Sequence, residues 1–415
     1  MRKLLLLVIS ISSFEVYCQP LIKDYPEHFE ITISNPINVP RKDILVVIST
    51  AQIPKPFNAR AFLVMDGERE IPAQYNHADE HNGGIAFVLD ALSASETREI
   101  SVRFHPSADI RRPYTKRTQA ELSYKKGGEW KNREYIGGNF ENTQFLQVPP
   151  EHKDHSWFIR YEGPGWESDK VGYRFYLDQR NATDVFGKVT EAMVLQKVGL
   201  DGFDSYHEMQ PWGMDVMKVG KSLGVGSLGS FVNGQAIRIE KTDSVSCRIV
   251  ENGDVYSSIL TNYNGWIVGD NKYDLRSYLA IHAGTRTTQQ SLTVTNNIEN
   301  IATGIVKDKA ASLISKNGDS KHFGYIATYG KQSLNSDNLG LAVFFDSKQL
   351  IELTEDPNSH VIKLKPSNGK LTYYFLSAWE KEQGGIKDQK QFEDSLEQVA
   401  LELANPVKVT ISPKK

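Results

Sequence analysis

The sequence predicts a mainly β protein: a small N-terminal β-sandwich, then a large antiparallel β-supersandwich, with one C-terminal helix. Three observations carry this. Short apolar or alternating segments recur along most of the chain, separated by turn residues. The 31 Gly and 17 Pro supply turns, and the 18 Tyr and 18 Phe supply aromatic strand positions. Strands do not alternate regularly with amphipathic helices, which argues against a parallel α/β sheet.

Residues 1–19 read as a secretion signal. Arg2 and Lys3 precede the apolar run Leu4 to Ile11, which is too short to span a bilayer, since that takes roughly 20 residues. Tyr17 is large where a lipoprotein site needs a small residue, so ordinary cleavage near Cys18 or Gln19 and export to the periplasm are expected. Cleavage there leaves Cys247 as the single cysteine, so no internal disulfide is available and stability rests on core burial. No later run is long and apolar enough to insert in a membrane. The net charge of −3, from 48 basic and 51 acidic residues, lacks the basic surplus of a nucleic-acid binder.

Residues 20–106 form the predicted N-terminal sandwich. Phe29-Glu30-Ile31-Thr32-Ile33 alternates, Ile44 to Ile48 is a buried-type run, and Ala61 to Met65, Gly84 to Leu89 and Ile100 to Phe104 follow. Residues 107–156 are a polar connecting segment with a basic cluster at Arg111, Arg112, Lys116 and Arg117, read either as a solvated loop or as a rim attracting an anion. Residues 157–415 form the predicted large sandwich and catalytic domain. Within it Phe392, Leu396, Val399, Ala400 and Leu403 share one helical face, Asn405-Pro406 ends the helix, and Val407 to Ile411 reads as a closing strand.

Gly224-Val225-Gly226-Ser227-Leu228-Gly229 has the spacing of a dinucleotide loop, but its strand-rich context lacks the βαβ unit such a site requires. It reads instead as a loop of close backbone approach. H-E-x-x-H does not occur; no metal site is expected, and no cofactor is expected either.

Chemistry concentrates in two stretches. The first runs from Trp157 to Asp178. Gly163-Pro164-Gly165 must turn; Trp166, Glu167, Asp169 and Lys170 follow; and Arg174, Tyr176 and Asp178 share one strand face. Such a face is poor core and suits either a groove for a polar ligand or a solvated surface with an ion pair. The second runs from Asp201 to Asp215, where His207 is flanked by carboxylates and Tyr206; its imidazole can exchange a proton near neutrality. His322 to Lys331, including Tyr329, is a weaker candidate.

The run Arg160 to Lys170, with Asp204-Ser205-Tyr206-His207-Glu208 and Trp212-Gly213-Met214-Asp215, resembles a family of exported proteins from polysaccharide-degrading bacteria catalogued as a domain of unknown function. The likeness extends over nearly all of the chain after residue 19. It points to the ulvan oligosaccharide dehydratases as a functional relative, and so implies an anionic oligosaccharide partner ending in glucuronate or iduronate and a 4,5-unsaturated product. The β-supersandwich of many uronate lyases agrees with the predicted fold.

On that chemistry, Arg174, or Arg160 in its place, would pair with the substrate carboxylate. His207 would take the C5 proton, Tyr329 or Tyr206 would protonate the leaving oxygen, and Lys170 would assist either charge. Trp166 and Trp212 would stack on sugar rings while Glu162 and Glu167 bind hydroxyls. The competing readings are an endo-acting lyase, a glycoside hydrolase using two of Glu162, Glu167, Glu208 and Asp215, and a non-catalytic glycan-binding protein.

Overall fold

The structure, a computed structural model, describes residues 22–202 and 205–412. The expected secretion signal, residues 1–19, and Cys18 lie outside the described residues, as do Phe203 and Asp204. The chain is mainly β, built from antiparallel sheets with one α-helix, Gln389–Ala404, among the described residues.

The N-terminal sandwich pairs two sheets. One has five strands in the order Lys408–Ile411, Glu27–Ser34, Thr97–Phe104, Phe62–Asp66 and Arg69–Ile71; the other has three, Arg41–Ser49, Gly84–Leu92 and Ala73–Asn76. Period-2 alternation buries Phe29, Ile31 and Ile33 on one side of Glu27–Ser34, where they meet Val46, Ile48, Ile100 and Val102. The closing strand thus returns to this sheet, with Ile31 opposite Ile411.

A nine-stranded antiparallel sheet forms the spine of the rest. It runs from Phe145–Gln147 through Tyr256–Val268, Asn271–His282, Thr287–Val294 and Lys370–Trp379 to Ala311–Lys316. Its inner face packs on two five-stranded sheets, and the shared core includes Trp166, Tyr173, Phe175, Ile259, Leu292, Ile362 and Phe375. Its outer face is covered in two places. Phe392, Leu396 and Ala400 of the helix sit on Tyr325, Ala327 and Phe344, and Asp388 caps that helix by accepting from the Gln391 amide at 2.8 Å. The N-terminal sandwich covers Tyr256, Tyr278 and Ala280 through Ala86, Leu45 and Val47. There the buried Asp79 carboxylate accepts from Tyr256 and Ser258 at 3.0 Å and from Tyr278, tying sandwich to sheet.

The polar segment before residue 157 supplies an exposed hairpin, Ser123–Lys131 with Glu134–Asn142, and an edge strand, Thr118–Glu121. No helix among the described residues is long and apolar enough to cross a membrane.

Candidate active site

The candidate site is the outer face of one of the five-stranded sheets, ordered Gly213–Asp215, Thr183–Lys188, Val171–Phe175, Gly165–Ser168 and Thr118–Glu121. Cross-strand partners share a face. Trp166 opposes Tyr173, which opposes Val185, and this row enters the core. The other parity carries Glu121, Glu167, Arg174, Asp184, Phe186 and Asp215, linked by the pairs Gly165–Arg174, Arg174–Asp184 and Phe186–Asp215. That polar face is buried because loops lie over it. Gly165 makes room for them: a Cβ there would stand 2.6 Å from the Tyr161 hydroxyl and 3.0 Å from Leu195 Cδ1.

Arg174 is the hub. Its Nη2 donates to Asp184 Oδ2 at 2.8 Å and Asp215 Oδ2 at 2.7 Å, and its Nη1 donates to the Tyr206 hydroxyl at 2.9 Å. The Tyr176 hydroxyl donates to Asp184 at 2.7 Å. The guanidinium also faces the rings of Tyr176, Tyr206 and Phe186 at 5.0–5.3 Å. Burial, then the adjacent Asp184, push the Asp215 carboxyl well above the usual range, with Arg174 pulling the other way. Asp184 and Asp215 both accept from the same Arg174 Nη2, which holds the two carboxyls side by side.

His207 stands where this cluster meets solvent. Its side chain is 46% exposed, whereas that of Asp215 is 2% exposed, and Nε2 lies 3.6 Å from Asp215 Oδ2. The ring also packs on Tyr206 at 4.6 Å. A solvent-facing imidazole backed by a buried carboxyl can take up or deliver a proton.

A second cluster adjoins the first through Glu162, whose Oε2 lies 3.9 Å from Arg174 Nη1. Arg180 donates to Glu162 at 2.6 Å, Asp178 at 2.6 Å and Asp154 at 2.7 Å. The backbone is strained here: His155, Trp157, Tyr161, Glu162 and Asn181 all have φ between +36° and +70°, a conformation that costs about 1–3 kcal/mol per non-glycine residue and gathers at functional sites. Asp154, His155 and Glu162 bring ligand-type atoms within 4.8 Å of one another. The Arg180 guanidinium already serves both carboxylates, so an organic cation holds the place a metal would take.

The structure brings together Arg174, Tyr206, His207 and Glu162. Arg174 does not match its expected role, because a guanidinium 3% exposed and shared by two carboxylates has no open side for a substrate carboxylate. Trp166 is core: it stacks on Tyr173 and its Nε1 donates to Thr288 Oγ1 at 2.9 Å, leaving no face for a sugar. Glu167 is fully buried, accepting from Lys188 Nζ at 2.6 Å and from the Val194 and Leu195 amides at 2.8 Å, so it binds no outside hydroxyl. Arg160 is likewise internal, packed on Glu121 and donating to the Gln196 carbonyl at 2.9 Å. Lys170 pairs with Glu191 at 2.7 Å at the surface. Tyr329 lies under the C-terminal helix against Phe392, in a separate hydrophobic cluster. Trp212 is half-buried on Phe186.

Asp184 and Arg180 escaped sequence reasoning. The available signal was the hairpin register, which sets Asp184 opposite Arg174. In the glycine-rich loop, Gly224 lies against the Thr183 carbonyl and Gly226 against the Phe375 ring, so the close approach is to strands. Gly220-Lys221-Ser222-Leu223-Gly224 has the G-x-S-x-G spacing of a nucleophile elbow. Ser222 nevertheless lies between strands, 3% exposed, and donates to the Val219 carbonyl at 2.6 Å.

Fold and site together define an antiparallel β-supersandwich protein that holds an acid–arginine cluster beneath a solvent-facing histidine. The chain belongs to the family DUF4861, a domain of unknown function, whose model matches residues 33–409. No curated protein matches it. Two solved structures from Enterococcus faecalis are similar: a protein in glycosyl hydrolase family 38, at 9% identity, and an alpha-mannosidase of strain V583, at 8%. Each gives a TM-score of 0.43 and covers 94% of this chain; this chain spans 48% and 46% of theirs, about half their length.

Proposed function

We propose that this protein is an exported, carbohydrate-acting enzyme in which His207, backed by Asp215, carries the proton. The observation that supports this is the 3.6 Å approach of an exposed imidazole to a buried carboxyl that Arg174 holds in place. On an oligosaccharide ending in a uronate, the imidazole removes the proton on C5. The C5–H electron pair becomes the C4–C5 double bond, the C4–O bond breaks, and the departing hydroxyl takes up the proton that the imidazole removed and leaves as water. The resemblance to ulvan oligosaccharide dehydratases favours this outcome. Arg174 then acts from behind, fixing Asp215 and the Tyr206 hydroxyl.

A second reading is cleavage of the glycan chain by a hydrolase or lyase. It is favoured by charge: Asp154, Glu162, Asp178, Asp184 and Asp215 outnumber Arg174 and Arg180 around the site. Such a surplus suits a neutral sugar attacked by carboxyl acid–base pairs.

Incubation with uronate-ended oligosaccharides, read by mass and ultraviolet absorbance, separates the outcomes. Dehydration removes one water without shortening the chain and creates a conjugated acid. A lyase creates the chromophore and shortens the chain; a hydrolase shortens it without a chromophore. Unchanged substrate across uronate-containing and neutral glycans overturns the enzymatic reading.

A further inference from the structure

We propose that the cleft between the N-terminal sandwich, the outer face of the nine-stranded sheet and the C-terminal helix is a binding site for a saccharide bearing a carboxylate or sulfate, separate from the His207 face. The cleft has a volume of about 740 Å³, within the range that encloses a small ligand, and it lies at a junction of packed units, where such sites concentrate.

Its walls carry the groups such a ligand needs. Lys42 comes from the sandwich, Arg286, Gln289 and Tyr374 from the sheet, and Ser395 and Gln398 from the helix. Lys42 is exposed and makes no ion pair among the described residues. Arg286 donates its Nε to the buried Glu382, while its two terminal nitrogens have no acceptor among the described residues. The wall carries three cations, Arg41, Lys42 and Arg286, against two carboxylates, Asp43, which lies 3.7 Å from Arg117, and Glu402. The cationic donors therefore stand in excess and match one acid group. The amide of Gln289 and the hydroxyls of Thr287 and Ser395 both donate and accept, as sugar hydroxyls do. The Tyr374 ring, beside Val399 and Leu403, offers an apolar surface for a pyranose face.

Calorimetric titration of the full chain and of its His207→Ala variant tests this, with a glucuronate-ended disaccharide, glucose 6-sulfate and the neutral disaccharide cellobiose as probes. Both proteins are expected to bind an acid-bearing probe at least tenfold more tightly than cellobiose, and the tighter of the two names the acid group. Lys42→Glu should weaken that binding at least tenfold, and Gln289→Leu severalfold, both at substitutable positions away from His207. The proposal is overturned if no acid-bearing probe binds, if cellobiose binds equally well, or if both cleft variants bind like the parent. Because binding is read in the His207→Ala protein, failure of the catalytic reading leaves this measurement intact.

Discussion

His207 and Asp215 face each other across 3.6 Å at the boundary between solvent and core. The carboxyl cannot move, because Arg174 Nη2 lies 2.7 Å from the same Oδ2 and the Met217 amide donates to Oδ1 at 3.2 Å. One side of this pair is therefore mechanically fixed while the other reaches solvent.

This asymmetry separates function from stability at His207. His207→Ala removes a half-exposed ring that touches Tyr206 and stands 3.6 Å from Asp215, so it should cost less stability than the loss of the buried Asp215. Turnover should fall at least about a hundredfold, as when an acid–base group is lost. Chemical denaturation alongside product formation checks both halves; near-normal turnover would rule out the imidazole as proton carrier.

Asp215 should behave in the opposite way. Asp215→Ala takes one of two carboxylates from a buried guanidinium and should destabilise by about 3 kcal/mol, the low end for a broken buried ion pair. Asp215→Asn keeps an acceptor oxygen and should cost less, while still lowering turnover because the imidazole loses the carboxyl behind it. Equal stability losses for the two variants would mean that Arg174 does not depend on this carboxyl.

The same sheet face supplies a double-mutant test. Lys188 and Glu167 are both fully buried and meet at 2.6 Å, with Lys188 also donating to the Ser168 carbonyl at 2.7 Å. Lys188→Met leaves Glu167 unpaired and should cost about 3–5 kcal/mol. Combining it with Glu167→Gln should recover part of that loss, giving a coupling above about 1 kcal/mol by urea denaturation. Strict additivity would show the two side chains to be energetically independent.

These contrasts show which parts of the molecule the sequence exposes. Glu27–Ser34 and the helix face of Phe392, Leu396 and Ala400 were legible because burial follows a period of 2 or 3.6 over neighbouring residues. The partner of Lys408–Ile411 was not, since it lies some 380 positions away and any exposed edge of matching pattern would serve. At the site, the parity of Arg174 and Tyr176 correctly placed them together, but Asp178 left that face to bind Arg180. Trp166 and Glu167 look alike in sequence as site residues. Only the register against Tyr173 and the distant Lys188 shows that the first faces the core and the second an internal ion pair.

Glu382, the buried partner of Arg286, predicts a pH dependence whose sign is fixed. Burial pushes its carboxyl up to about 7, with Arg286 opposing; the ordinary value is near 4.5. Between those values the folded chain holds a proton that the unfolded chain has released, so this group's contribution to stability falls as pH rises from 4.5 to 7 and is level above that. The slope cannot exceed about 1.4 kcal/mol per pH unit. His282, which lines the same cleft, acts in the other direction: burial lowers it from 6.5 to about 4. The unfolded chain then binds the extra proton, and stability falls as pH drops through that window. The two effects oppose below pH 6.5, so subtraction isolates the first. Relative to Glu382→Gln, the parent should lose stability between pH 5 and 7 and run parallel from 7.5 to 8.5, measured as urea midpoints across the series. Parallel curves from pH 5 upward would mean that Glu382 ionises in the folded chain as it does in the unfolded one.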